Sequence, residues 1–350
     1  MTAVALSQAG STVRPAQKVT SVAPPQTDGK GKAQGPAATS RAKPTPEKAI
    51  GDPVYLISPS SAVAPDAPWD LALSQLRRHG WQPVVDRDAR KQHQRFAGTD
   101  RQRAAAFSRA CTQTHARMVM FTRGGYGLMR LLPQLDWTAL AAADKFWVGF
   151  SDATAFHLAM LGHANIETWA GPALLDDFAC EAPDETTSDC LREAYEGRLQ
   201  AVGFPIRGLP RGRPALEERG TLWGGNLSIV CAMLGSRWMP KPPADGVLFL
   251  EDVGEHPYRI ERMLVQLLYS GVIDAQKAVL LGTFNNYRLT DRDKGYDLRH
   301  AIAWVRKETR VPILEGLPFG HGERKVTLPH GRRVRLATQG RSAFLLLNDP

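Results

Sequence analysis

Three residues stand where a side chain could do chemistry, each just past an apolar stretch. Ser151 follows Trp147-Val-Gly-Phe150 and is followed at once by helix-forming residues. A serine on a sharp strand-to-helix turn exposes its hydroxyl at the edge of a sheet, with the next backbone N–H placed to bind an oxyanion. The local text, Gly149-Phe-Ser-Asp-Ala153, departs from G-x-S-x-G at Ala153. Ser151 equally suits a helix N-cap. Glu251 and Asp252 end the core-type run 247–250. A carboxylate there could orient a histidine, or cap the next element. His321 lies between Gly320 and Gly322 in an expected loop. An imidazole so placed is free to act as general base, or is simply solvated. Arg123-Gly-Gly-Tyr-Gly127 ends another strand-like run. Its glycines allow backbone amides to approach a ligand closely, or form a tight turn. No G-K-[ST] follows, so it is not a phosphate loop. Each feature alone has an ordinary structural explanation. The set has the order Ser…Glu…His, which is that of α/β hydrolytic triads.

The elements that must position these residues follow from apolar period and turn residues. Short apolar runs at 54–57, 81–85, 116–121 and 145–150 read as strands. Helices are expected at 68–79, 100–111, from 128 onward, and at 152–161. This alternation predicts a doubly wound α/β domain whose ligand site lies at the strand carboxyl ends. From about 176 to 220 the text turns rich in Pro, Gly and Arg around one helix, 188–197, and reads as a connection. The second half offers helices at 227–234, 258–270 and 297–309 and strands at 246–251 and 278–283. It closes in β-rich text at 312–314, 332–336 and 343–347. The expected organisation is a tail (1–50), an N-terminal α/β domain (51–180), a connection (181–219) and a smaller β-rich α/β domain (220–350).

The chain has 350 residues and a formal charge of +9, from 44 Lys+Arg and 35 Asp+Glu. Such a charge invites a nucleic-acid reading. Its location argues otherwise: residues 1–50 hold seven basic and two acidic residues, or +5, leaving +4 for the other 300. Those 50 residues contain six Pro and no aromatic side chain, so they are expected to be disordered. They lack the apolar stretch of a secretory signal. No run is long enough to span a membrane. Cys111, Cys180, Cys190 and Cys231 have neither metal-type nor C-x-x-C spacing. A reducing compartment without a disulfide framework or structural zinc is expected.

Six ordered motifs resemble the LD-carboxypeptidase family of serine peptidases. They are V-Y-L-I-S-P-S-S at 54–61, R-G-G-Y-G at 123–127, G-F-S-D-A-T at 149–154, G-G-N-L-S at 224–228, L-E-D-V-G-E-x-x-Y-R-I-E-R-M-L at 250–264 and G-H-G at 320–322. The family includes murein tetrapeptide carboxypeptidase and the microcin C immunity peptidases. The resemblance implies an amidotransferase-like N-terminal domain, a smaller C-terminal one, a site between them, and a cytoplasmic homodimer. It implies no metal, no cofactor, and no nucleic-acid or membrane partner. It makes Ser151 the nucleophile, Glu251 the orienting acid, with Glu255 second choice, and His321 the base. The amide of Asp152 and one from Gly124-Gly125 would form the oxyanion hole. Arg123, Tyr258 and Arg259 are candidates for the substrate's free carboxylate, and Tyr126 and Asn226 for the pocket wall. The implied reaction releases terminal D-alanine from murein tetrapeptide in cell-wall recycling. One departure, Trp169-Ala170 where a His-Gly-Pro type sequence is usual, is expected to reshape the pocket.

Overall fold

Val54, Leu56 and Ile57 are wholly excluded from water, Tyr55 nearly so. A strand apolar on both faces needs cover on both faces, which a parallel sheet flanked by helices supplies. The computed structural model describes residues 51–209 and 215–348; the tail expectation for 1–50 lies outside them. The first half runs β1 (Asp52–Ile57), α1 (Trp69–Arg78), β2 (Trp81–Val85), α2 (Asp100–Cys111), β3 (Met118–Phe121), α3 (Trp137–Ala142), β4 (Phe146–Gly149), α4 (Thr154–Ala164) and β5 (Thr168–Ala170). Then come α5 (Leu174–Asp177), α6 (Glu185–Tyr195), β6 (Ala201–Pro205), β7 (Glu217–Asn226), α7 (Leu227–Met233), β8 (Gly246–Val253) and α8 (Pro257–Tyr269). The chain ends with β9 (Gln276–Asn285), α9 (Leu298–Glu308), β10 (Ile313–Glu315), β11 (Leu328–His330), β12 (Arg333–Gln339) and β13 (Ser342–Leu346).

The fold is α/β with two sheets. One has the order β11-β5-β4-β3-β1-β2 and the other β10-β9-β8-β7-β12-β13-β6. β1 to β5 are parallel, and β11 joins them antiparallel on β5. In the first sheet β1 lies between β2 and β3, so successive connections leave in opposite directions and open a crevice beyond the strand carboxyl ends. The second sheet is parallel over β7 to β10 and antiparallel over β12, β13 and β6.

Two arrangements tie the halves together. Helix α4 is buried along all of Thr154–Met160, as a helix apolar on every side must be, and it packs on both β5 and β7. The chain also crosses between sheets: it leaves β10 in the second, enters β11 in the first, and returns to β12 in the second. Residues 181–219, expected as a connection around one helix, contain that helix as α6 and also β6, an edge strand of the second sheet that the expectation did not include. The helix expected from 128 does not form there. Pro133 sits in a short 3-10 turn, Leu132–Gln134, and α3 begins only after Asp136, whose side chain accepts the Ala139 amide as N-cap.

Candidate active site

Ser151 follows β4 by two residues and opens a 3-10 turn, Ser151–Ala153, that runs into α4. Its φ is +61°, a strained value for a residue with a Cβ, and the strain marks a sharp reversal. Ser151 caps nothing: Phe150 holds the N-cap position and no side-chain cap bond is made. Its hydroxyl is instead 3.1 Å from His321 Nε2.

His321 lies in the crossing between β10 and β11, so it is carried to the first sheet by a segment that starts in the second. Its Nδ1 is 2.7 Å from Glu251 Oε2. Asn285 Nδ2 donates to the His321 carbonyl at 2.6 Å, and the Phe150 ring packs 4.8 Å from the imidazole. Gly320 has φ +122°, and a Cβ there would lie 2.8 Å from Glu251 Cβ, so only glycine lets the loop rest on the acid. Behind Phe150, the Lys325 ammonium lies 3.3 Å from the ring centroid and bonds both oxygens of Asp177, at 2.7 and 2.9 Å.

Glu251 is fully buried on β8. Its strand neighbour in register is Asn226, the last residue of β7, and Asn226 Nδ2 donates to Glu251 Oε1 at 3.2 Å and to Asp252 Oδ1 at 3.1 Å. One carboxylate oxygen is thus held by Asn226 and the other faces His321. Asp252 also accepts from the Ser228 and Val253 amides, both at 2.9 Å. Burial, with the Glu251 charge alongside, pushes the Asp252 carboxyl up to about 6.

Ser151 and His321 line a cleft of about 360 Å³, with Glu251 buried behind the imidazole. Arg123, Gly124, Gly125 and Asp152 line it, together with Asn226, Asp252 and Glu255. The turn after β3 touches the serine: a Cβ on Gly124 would lie 2.8 Å from Ser151 Oγ and 3.4 Å from the Asp152 amide. Arg123 enters the cleft with one bond, from Nη1 to the Ala62 carbonyl.

Other expected residues lie elsewhere. Tyr258 and Arg259 are outside the cleft lining. Arg259, in the first turn of α8, pairs at 2.6 Å with Glu255, which lies just before the helix, so the two charges are spent on each other. Glu255 reaches the cleft without touching His321. Tyr126 packs on Phe96 and is likewise outside the lining. Asn226 lines the cleft but is committed to the two acids. Trp169 stacks on Phe146 at 4.7 Å in a separate recess with Arg117 and Arg332, so it does not shape this cleft.

Sequence reasoning missed Asp176, which lines the cleft and whose carboxyl is raised by burial and by the neighbouring Asp177 charge. Its signal was an Asp-Asp pair set in Pro/Gly-rich text. Among the described residues, no group of His, Cys, Asp and Glu has the arrangement of a metal site. A hydroxyl, an imidazole and a buried carboxylate in series can activate the hydroxyl for attack on a carbonyl.

Family models match both halves of the chain. The LD-carboxypeptidase N-terminal domain matches residues 54–171 and its C-terminal domain residues 219–336. The chain belongs to the LD-carboxypeptidase family. It is a serine hydrolase of the LD-carboxypeptidase type. Murein tetrapeptide carboxypeptidase of Pseudomonas aeruginosa is 34% identical over 295 residues, covering 81% of this chain and 92% of that protein. The solved muramoyltetrapeptide carboxypeptidase from Oxalobacter formigenes is 37% identical with a TM-score of 0.78, covering 85% of this chain and 99% of that one. The Microcin C7 self-immunity protein of Escherichia coli is 26% identical over 317 residues, covering 83% and 91%. Among the described residues, no helix is long and apolar enough to cross a membrane.

Proposed function

We propose that this LD-carboxypeptidase removes the terminal D-alanine from murein tetrapeptide in cell-wall recycling. Ser151 is the nucleophile, His321 the general base and Glu251 the acid that orients it. The observation that carries this is the unbroken series Glu251 Oε2–His321 Nδ1, His321 Nε2–Ser151 Oγ, whose serine and histidine line the cleft. His321 Nε2 takes the hydroxyl proton as Ser151 Oγ attacks the carbonyl of the L-residue. The amide of Asp152 and one from the Gly124-Gly125 turn face the oxygen that becomes negative. His321 then protonates the departing amine, and water resolves the acyl-enzyme by the same route in reverse. Buried Glu251 holds the proton on Nδ1 and stabilises the imidazolium. Arg123, the arginine of the cleft lining, receives the free terminal carboxylate.

The similarity to the Pseudomonas and Oxalobacter proteins supports a murein substrate. The microcin immunity reading is less favoured, because a peptidyl-nucleotide calls for a stacking ring and the described lining offers no Phe, Tyr or Trp. We take the N-terminal sheet as amidotransferase-like, the domains as 51–180 and 220–350 joined by 181–219, and the enzyme as a cytoplasmic homodimer. Purified protein mixed with murein tetrapeptide should release tripeptide and D-alanine, and Ser151→Ala should reduce release to background. No release by the wild type, or undiminished release by the variant, refutes the reading.

A further inference from the structure

Asp152 follows Ser151, and its backbone amide and side chain face different tasks. The amide belongs to the cleft, while the carboxyl is 1% exposed and lies under the turn after β3. Its Oδ2 accepts from Ser60 Oγ at 2.6 Å and from the Leu128 amide at 2.9 Å. Ser60 lies beyond the end of β1, and Leu128 closes the turn that begins at Arg123. One oxygen therefore joins three strand ends: β1, β3 and, through its own backbone, β4. Oδ1 is buried and has no partner among the described residues.

A second buried charge grips the same two segments. Arg103, 1% exposed on α2, donates from Nη1 to the carbonyls of Pro59 at 2.5 Å and Gly127 at 3.1 Å. The segments thus braced carry the glycines pressed on Ser151 and Ser61: a Cβ on Gly125 would lie 2.4 Å from Ser61 Oγ. Small displacements of the turn would carry its amides away from the carbonyl oxygen that Ser151 makes negative, where donor placement matters most.

We propose that the Asp152 carboxyl, acting through Ser60 and the Leu128 amide, is a positioning group that sets the oxyanion turn against the nucleophile. This rests on the triad reading above. The full chain is assayed on murein tetrapeptide, so wild-type inactivity would defeat that reading, whereas an active wild type isolates the inference. Asp152→Ala is expected to lower kcat about 10- to 100-fold, less than the roughly 10²–10³-fold of deleting an oxyanion donor outright. KM should stay within about threefold. Affinity for a tripeptide boronate, whose boron forms a tetrahedral adduct with Ser151 Oγ, should fall by the same factor as kcat. Binding of intact tetrapeptide in the Ser151→Ala background should change less than about threefold. Asp152→Asn, whose carbonyl oxygen can still accept from Ser60 and Leu128, should restore kcat to within about threefold of wild type. Ser60→Ala, which removes one of the two donors, should cost about 3- to 10-fold in kcat and decides the matter if Asp152→Ala does not fold. A folded Asp152→Ala or Ser60→Ala with wild-type kcat overturns the proposal. So does a loss confined to KM, or an Asn variant as impaired as Ala.

Discussion

His321 and the pair His157–His330 both lie where strands from the two halves of the chain meet, yet only His321 has a carboxylate. Its ring lies at a cleft, with Glu251 on one nitrogen and Ser151 on the other. His157, on α4, is buried with Nδ1 2.8 Å from Thr168 Oγ1 and Nε2 3.0 Å from the Gly149 carbonyl. His330, on β11, is buried 5.6 Å from it, ring to ring. Burial pushes the His157 imidazole down to about 4, and burial beside His157 pushes His330 well below its ordinary value. His157, buried without an acid, is a neutral hydrogen-bonding wedge. A histidine between an acid and a hydroxyl can accept a proton and keep it through a reaction. The same side chain therefore serves the fold in one place and the chemistry in the other. Altering the first should move stability, and altering the second should move turnover.

The largest expected effect sharpens this contrast at Glu251. In Glu251→Gln the side chain keeps its shape and its bond from Asn226 but loses the charge facing His321 Nδ1. An uncharged partner favours the wrong tautomer and leaves the imidazolium uncompensated, which in a comparable triad costs about 10⁴ in kcat. We expect a loss of about 10³–10⁴ in D-alanine release, read by coupled assay. Thermal unfolding should be little changed, because a neutral group buries more easily than a charge. Activity within tenfold of wild type would mean that His321 is not oriented by this acid.

How much of this was legible follows from range along the chain. The Ser151 reversal is local, since a four-residue strand, one strained residue and a helix occupy consecutive positions, and their types show it. Glu251 shows as the end of an apolar run. The commitment of Asn226 to Glu251 depends on the β7–β8 register, and the Lys325–Asp177 pair joins residues 148 apart in sequence. No local period encodes either. β5 and β11, at three residues each, are too short to show alternation, yet their pairing carries the chain back to the first sheet beyond His321.

The intermediate effect tests the other side of the comparison. Unfolded His157 titrates near 6.5 and folded His157 near 4. Between those values the unfolded chain binds the proton and the folded chain does not, so its contribution is complete above 6.5 and is lost as pH falls toward 4. The full loss is about 3 kcal/mol, from roughly 1.4 kcal/mol per unit. Asp252 acts with opposite sign. Its folded value near 6 exceeds 3.8, so its contribution is present at low pH and lost as pH rises through 6. The discriminating quantity is therefore a difference. Urea unfolding of wild type and His157→Gln from pH 7 to 4.5 should show wild type losing about 2 kcal/mol more than the variant. Parallel pH curves would mean that folded His157 takes up its proton at the same pH as the unfolded chain and is not held neutral by burial.

The smallest effect separates two arginines that sequence alone leaves equal. Arg259 is half exposed and already paired with Glu255, which precedes α8; such a solvent-exposed pair is worth about 0.2–1 kcal/mol. Arg123 lines the cleft beside Ser151 and bonds a backbone carbonyl, with no carboxylate ion pair among the described residues. A carboxylate arriving in the cleft would meet Arg123 without breaking an ion pair, but would have to compete with Glu255 for Arg259. Arg259→Ala should therefore leave KM and kcat within about twofold and stability within about 0.5 kcal/mol. Arg123→Ala should raise KM at least tenfold, because a charge-assisted fork bond to the substrate is lost. A tenfold rise in KM for Arg259→Ala, with Arg123→Ala unaffected, would transfer the carboxylate site to α8. The Glu255 pair would then be a resting contact that substrate displaces.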